Sequence, residues 1–308
     1  MKYYLAPLEG ITTCAYRKVY HKYYTAMDKY FTPFLSPHNK RGFSTKEKRE
    51  LFPEYNEGMY LVPQILTNHA PDCLDTMRKL EELGYQEINL NMGCPSKTVV
   101  SKNKGSGFLA YPEELDRFLE EVFANTKLKV SVKTRIGKES IEEFPRLLEI
   151  YNKYPLEELI IHPRTQTEFY KYHPHLDVFA DAVKMSKHSL CYNGDIISAD
   201  DERKICEQFP NIEAIMIGRG IIRNPWLLET VKEGKFLDKQ KFQEFHDELL
   251  DTYLSMNYGE KPALFKMKEL WAFTKADSKE MEKALKKIRK SEKLVDYNRA
   301  MKTVLTLL

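Results

Sequence analysis

Residues 87–133 read EINLNMGCPSKTVVSKNKGSGFLAYPEELDRFLEEVFANTKLKVSVK, and the fold is decided there. Two short runs, Glu87–Asn91 and Lys129–Lys133, have the length and apolar, β-branched content of buried strands. Between them, Pro112–Asn125 brings Leu115, Phe118, Leu119, Val122 and Phe123 onto one helical face, with Pro112 suited to the first turn. Strand, helix and strand make one βα repeat of an α/β protein.

The same unit recurs along the chain. Strand-like segments fall at 3–8, 31–35, 61–66, 87–91, 129–133, 158–162, 189–193 and 214–218. Their starts are spaced by about 25 to 40 residues, the length of a βα unit. Pro71–Leu83 is a second amphipathic helix, built on Leu74, Met77, Leu80 and Leu83 and closed by Gly84. Pro145 predicts a kink or a late start in the helix after the fifth strand. Eight strands alternating with helices over about 235 residues make a (β/α)8 TIM barrel. A doubly wound sheet is the runner-up, but the first turn, Glu9-Gly10-Ile11-Thr12, lacks the GxGxxG that such a sheet carries there.

Beyond Leu237 the pattern turns helical throughout. Leu249, Leu250, Tyr253 and Leu254 mark one apolar stripe, Met267, Leu270, Trp271 and Phe273 another, and Leu285, Ile288 and Leu294 a third. The expected organisation is a barrel over 1–236 followed by a small α-helical bundle over 237–308. Of the 308 residues 42% are hydrophobic and 30% charged, which supports a sizeable core and excludes general disorder. No window approaches 18 uninterrupted apolar residues, so no membrane-spanning helix is expected. The N-terminal apolar run is too short for a signal peptide, and a cytoplasmic location follows as the expectation. Five widely spaced cysteines (Cys14, Cys73, Cys94, Cys191 and Cys206) form no CxxC or CxxxH pair. Neither a zinc framework nor any other metal site is expected. The net charge is only +3, yet from Lys261 onward 13 Lys and Arg face 6 Asp and Glu. Such a tail attracts a polyanion.

In a TIM barrel the chemistry lies at the C-terminal ends of the strands. The residues at those ends are Pro7-Leu8-Glu9-Gly10, Gln64, Asn91-Met92-Gly93-Cys94-Pro95-Ser96, Lys133-Thr134-Arg135, His162-Pro163-Arg164-Thr165, Asn193-Gly194-Asp195 and Gly218-Arg219-Gly220. Amide, thiol, ammonium, imidazole and guanidinium converge on one rim. Glycines on the last two strands mark the usual phosphate corner of such barrels, where Gly194 and Gly218 allow close approach and Arg219 pairs with the anion.

Those blocks, in order along the barrel, resemble the dihydrouridine synthase family, with Gly93-Cys94-Pro95-Ser96 after Asn89-Leu90-Asn91 the most specific part. The resemblance implies an FMN enzyme that reduces uridine in folded RNA, chiefly the D-loop of tRNA, to 5,6-dihydrouridine with NADPH. Reduced flavin would give hydride to C6 of uracil, and Cys94 would protonate C5 from the opposite face. That role needs a thiol rather than a thiolate, which an ordinary cysteine pKa of about 8.5 provides. By the same resemblance Pro7, Leu8, Glu9 and Gln64 would contact the flavin ring, with Lys133 and His162 at its pyrimidine edge. Asn193, Gly194, Asp195, Gly218 and Arg219 would hold the ribityl phosphate. Asn91, Arg135 and Arg164 are candidates for the uracil edge or a flanking nucleotide, although a rim arginine equally pairs with a nearby carboxylate.

The basic segment Lys97–Gly107 is expected to be a lid over the base or a plain surface loop. His173 and His175, flanking Pro174, read as surface residues. Met281–Lys293 turns Leu285 and Ile288 inward and its cations outward, toward RNA phosphates. Ribosomal RNA is an alternative substrate, and a monomer is the default state. Two other readings stay open: a small-molecule FMN oxidoreductase, and an RNA-binding protein with an inactive barrel. The basic tail argues against the first; the Cys94, Lys133 and His162 set argues against the second. Lys133 as a Schiff-base lysine is disfavoured by the Cys94 block.

Overall fold

The computed structural model of the chain describes residues 1–38 and 42–308. Its strands are β1 (Lys2–Leu5), β2 (Lys29–Phe31), β3 (the two runs Leu61–Val62 and Gln64–Ile65), β4 (Glu87–Met92), β5 (Lys129–Arg135), β6 (Leu159–His162), β7 (Leu190–Tyr192) and β8 (Ala214–Ile217). Every pairing is parallel, and β8 closes on β1 through Lys2↔Ala214 to Leu5↔Ile217. The first run of β3 pairs with β2 and the second with β4. Pro63 divides them because it has no N–H for the ladder, while its carbonyl still accepts from Asn89 N at 2.9 Å. The circle is thus complete, and the architecture is the expected eight-stranded barrel followed by helices.

Differences from the sequence reading are local. The second strand ends at Phe31 rather than Leu35, since Pro33 interrupts it; Leu35 makes only an isolated bridge to Ile65. The helix after β5 does start late. Ser140 and Glu143 form a capping box on a short 3-10 turn, and the α-helix Phe144–Tyr151 follows with Pro145 in its first turn.

Register decides what faces the barrel axis, because side chains alternate and laterally paired residues share a face. Lys133 pairs with Ile160, Ile160 with Cys191 and Cys191 with Ala214. Ile160, Cys191 and Ala214 belong to one small interior cluster with Tyr4, Ala6, Phe31, Val62 and Met216. The same parity turns Gln64, Asn89, Asn91, Ser131, Lys133, Arg135 and His162 inward. This interior is polar where many barrels are aliphatic. Near the floor, Lys29 Nζ bonds both oxygens of Glu87 (2.8 and 3.0 Å), and Tyr4 donates to Glu158 at 2.8 Å. Burial pushes the Glu158 carboxyl up to about 7.

After the barrel come helices Lys239–Tyr253, Glu260–Trp271, Lys279–Lys290 and Leu294–Leu307. All three expected stripes supply buried residues, among them Leu249, Tyr253, Met267, Trp271, Leu285 and Ile288. A buried polar latch joins three of these helices. Trp271 Nε1 donates to the Tyr297 hydroxyl (3.0 Å), which lies 2.8 Å from His246 Nε2, while His246 Nδ1 lies 2.8 Å from Asp247. Tyr297→Phe leaves two buried nitrogens unpaired and should remove about 2 kcal/mol of stability in denaturant unfolding. An unchanged midpoint would refute the latch.

Candidate active site

The rim is built from the strand ends. At the end of β4, Asn91 turns its amide inward, and its Oδ1 accepts from the backbone N–H of Gly93 (3.1 Å) and Cys94 (2.9 Å). Asn91 Nδ2 donates to Gln64 Oε1 (2.7 Å), Gln64 Nε2 to Asn89 Oδ1 (2.8 Å), and Asn89 Nδ2 to Ser131 Oγ (3.0 Å). Ser131 in turn donates to the Ile88 carbonyl at 3.2 Å. The turn that carries the thiol is therefore fastened to a hydrogen-bonded row spanning β3, β4 and β5.

Cys94 is half-buried. Burial pushes its thiol up, while the Ser96 N–H and the charges of Lys133 and Arg135 partly oppose the rise. The balance keeps the proton on sulfur at neutral pH. Its backbone is held from the other side: the Cys94 carbonyl accepts from Ser106 N (3.1 Å) and Ser106 Oγ (2.8 Å). A Cβ on Gly105, at φ +55°, would come within 2.8 Å of that same oxygen. The segment expected as a lid or loop is instead a short helix, Lys97–Val100, and a 3-10 turn, Gly105–Ala110, whose residues Gly105–Leu109 are buried. Its second half is scaffold for the cysteine.

Lys133 and Arg135 rise from β5, and His162 lies opposite Arg135 on β6. Lys133 is half-buried by area yet ringed by protein, and among the described residues its ammonium has no hydrogen bond or ion pair. Burial lowers its pKa to about 8, and Arg135 adds to the shift. Arg135 donates from Nε to the Gly93 carbonyl (3.0 Å) and from Nη1 to the Thr165 carbonyl (2.8 Å). His162 is buried, and burial followed by the charges of Arg135, Lys133, Arg164 and Arg219 holds it well below its usual range, so it is neutral. Arg164 Nη1 lies 2.9 Å from His162 Nε2, which makes that nitrogen the acceptor.

Arg164 itself is fully buried and spends its guanidinium on the Tyr172 carbonyl, His162 and Asp195. Of the two alternatives for a rim arginine, the carboxylate pairing is the arrangement found. Asp195 also receives Arg219 Nη2 at 2.7 Å. Asn193 donates to the Met216 carbonyl across β7 and β8 (2.8 Å). Gly194 is required by its neighbour, since a Cβ there would meet the Tyr192 hydroxyl at 2.0 Å. Gly218 opposes the first loop: a Cβ on it would lie 3.3 Å from Ala6 Cβ and 3.7 Å from Leu8. Pro7 and Leu8 are half-buried in that loop, whereas Glu9 is exposed and paired with Lys46 at 3.3 Å.

One neighbour of these side chains was not singled out from the sequence. Tyr170 is 46% exposed, with its ring 4.4 Å from the Arg219 guanidinium, 5.3 Å from that of Arg135 and 5.8 Å from the His162 ring. It lies on an irregular loop, where no periodicity marks it, next to Phe169 at φ +53°. In the same loop His175 is not a free surface histidine but bonds Glu168 at 2.7 Å. A groove of about 1180 Å³ starts at Tyr170, Asp195 and Arg219 and runs to Ala272, Phe273 and Lys275; it excludes Cys94 and Lys133. Among the described residues no cluster of His, Cys, Asp or Glu could hold a metal, and no helix is long and apolar enough to cross a membrane.

The chain is matched by a family model described as dihydrouridine synthase (Dus) over residues 4–305. A probable tRNA-dihydrouridine synthase of Staphylococcus aureus (strain COL) is 31% identical over 284 residues, 88% of this chain and 82% of that protein. Probable tRNA-dihydrouridine synthase 2 of Bacillus subtilis (strain 168) is 29% identical over 279 residues, 85% of this chain and 83% of that one. Among solved structures, morphinone reductase in complex with tetrahydroNAD aligns with TM-score 0.51 and 12% identity over 78% of this chain and 90% of that chain. A variant of NCR from Zymomonas mobilis gives 0.53 and 14% over 79% and 90%. At such identities these structures share the fold.

The Lys133 ammonium, unpaired among the described residues, costs the folded chain stability. With Lys133 at about 8 in the folded chain and 10.5 ordinarily, the unfolded chain binds the extra proton between those values. The destabilisation is full below pH 8 and disappears as pH rises through 10.5. Lys133→Met should therefore raise the neutral-pH stability of the protein without ligand by about 1–3 kcal/mol, discounted for exposure. A lowered thermal midpoint would contradict this.

Proposed function

The chain belongs to the dihydrouridine synthase family, and from that premise we propose that it reduces specific uridines of folded tRNA to 5,6-dihydrouridine, with FMN bound in the barrel mouth and NADPH as reductant. The observation that carries this is the setting of Cys94: its backbone N–H is fixed by Asn91, burial pushes its thiol pKa up, and it stands beside the Lys133 ammonium, which has no counterion among the described residues.

The residues fit a flavin mononucleotide. Lys133, with no partner among the described residues, suits the pyrimidine edge where reduction builds negative charge. Neutral His162, with Nε2 engaged by Arg164, offers Nδ1–H there as a donor. Pro7, Leu8, Glu9 and Gln64 line the ring, Glu9 through its backbone since its carboxylate faces Lys46. Asn193, Gly194, Asp195, Gly218 and Arg219 form the phosphate corner, with Arg219 the charge and Asp195 its fixed counterpart. A bound reduced flavin supplies the hydride that uracil C6, conjugated to a carbonyl, accepts.

Cys94 holds the proton that C5 needs, and its raised pKa keeps that proton in place until negative charge develops on the base. Asn91 and Arg135 are proposed to meet the uracil edge or its neighbour. Arg164 acts through Asp195 and His162 rather than by reaching outward. Tyr170, exposed and seated on two guanidiniums, is a platform for a base.

A stacked uridine cannot enter a barrel mouth, so the base must leave its stack, at a few kcal/mol. Residues 237–308 are proposed as the RNA-binding part. Lys283, Lys286, Lys287, Lys290 and Arg299 line one groove between two of its helices against a single acid, Asp296. Affinity should accordingly fall steeply with salt. The protein is proposed to work in the cytoplasm as a monomer.

The test incubates the protein with NADPH and, separately, unmodified tRNA and 23S rRNA, then assays nucleosides by mass spectrometry. Dihydrouridine should appear in tRNA, and Cys94→Ala should slow its formation about 10²–10⁴-fold. Product in rRNA alone would change the substrate. NADPH oxidation with no product in either RNA would point to a small-molecule reductase instead.

A further inference from the structure

The loop after β1 is pinned from three directions. From within, Ile11 N and Thr12 N both bond the Leu8 carbonyl (3.0 Å each), and Leu8 N bonds the Thr12 hydroxyl at 2.8 Å. From the barrel, buried Arg17 holds the Thr12 carbonyl at 2.9 Å and is itself anchored on Glu50 and Asn56. The Gly10 carbonyl, on a residue with φ +75°, is held separately. Its partner comes from the other end of the chain. Lys266, on helix Glu260–Trp271, donates to Gly10 O at 2.9 Å across 256 positions of sequence. The ammonium is steered by Glu269, also at 2.9 Å, and the Lys266 side chain is 25% exposed.

A lysine on a helix of a basic region is ordinarily a solvated charge or a phosphate contact. Here it is three-quarters buried and aimed at a backbone carbonyl of the loop that borders Gly218 through Leu8. A charge-assisted bond to a carbonyl is among the stronger single restraints available to a loop. We propose that Lys266 is a positioning residue: through the Gly10 carbonyl it sets the loop Pro7–Gly10 against the ligand in the barrel mouth. The helical region thereby supports the flavin face of the site in addition to any contact with RNA. This rests on the flavin reading above only for the identity of the ligand; the strut itself is a property of the chain.

Amide hydrogen exchange on the full-length protein reads the strut without activity. In Lys266→Ala, exchange at Leu8, Ile11 and Thr12 should quicken about fivefold or more, and Lys266→Arg should recover most of the protection. Lys266→Met keeps the packed stem and guards against an unfolded alanine variant. In the flavin-loaded protein the same variants should shift the visible absorption bands, lower kcat several-fold and leave the KM for tRNA within about twofold. Unchanged exchange at those three amides would overturn the proposal, as would an unshifted flavin spectrum with a raised KM for tRNA, the mark of a phosphate contact. If the wild-type protein bound no flavin, the functional reading would fall while the exchange data still decided the strut.

Discussion

One directional row of hydrogen bonds sets the rest of the site. Asn91 Oδ1 accepts two backbone N–H groups, so its Nδ2 must donate to Gln64; Gln64 must then donate to Asn89, and Asn89 to Ser131. No amide in this row can flip without leaving a buried group unpaired, at about 1–3 kcal/mol each. Backbone donors at one end therefore orient side chains on three strands. The row stitches the second run of β3 to β4 and β5, next to the break that Pro63 imposes. It also fixes the direction in which Cys94 leaves the barrel, and Ser106 and Gly105 close the other side of that turn.

Around this neutral row the rim is strongly cationic. Lys133, Arg135, Arg164 and Arg219 surround His162, and Asp195 pairs with two of them, Arg164 and Arg219. The consequences are a neutral His162 and a lysine whose charge is destabilised. A fold optimised only for stability would avoid such an arrangement; a site that receives an anion needs it. Burial keeps the Cys94 thiol protonated although cations stand nearby, which separates the acid from the anion site within one opening.

Much of this was legible in the sequence, for physical reasons. Strands buried on both sides announce themselves as short apolar runs, and period-two parity turns Gln64, Asn91, Lys133, Arg135 and His162 to one side once the barrel is accepted. Pro33 and Pro63 shifted strand limits because a missing N–H acts on a ladder that sequence alone does not draw. The fate of Arg164 was open, since Asp195 lies 31 positions away and only the fold brings them together. Tyr170 and Lys266 were invisible for the same reason: each matters through partners on other elements, and neither belongs to a motif. The segment after Cys94 read as a loop because its composition is polar, yet Ser106 and Gly105 are used against the cysteine carbonyl.

The role proposed for Cys94 requires a thiol rather than a thiolate. Alkylation of Cys94 by iodoacetamide, mapped by mass spectrometry between about pH 6 and 11, distinguishes the two forms. Cys14, Cys73 and Cys191 are buried and Cys206 is pushed up to about 12, so the exposed reactivity belongs to Cys94. Slow labelling at neutral pH is expected, with a midpoint above the ordinary thiol value of about 8.5. Fast labelling with a midpoint below pH ~7 would show an activated thiolate and contradict it.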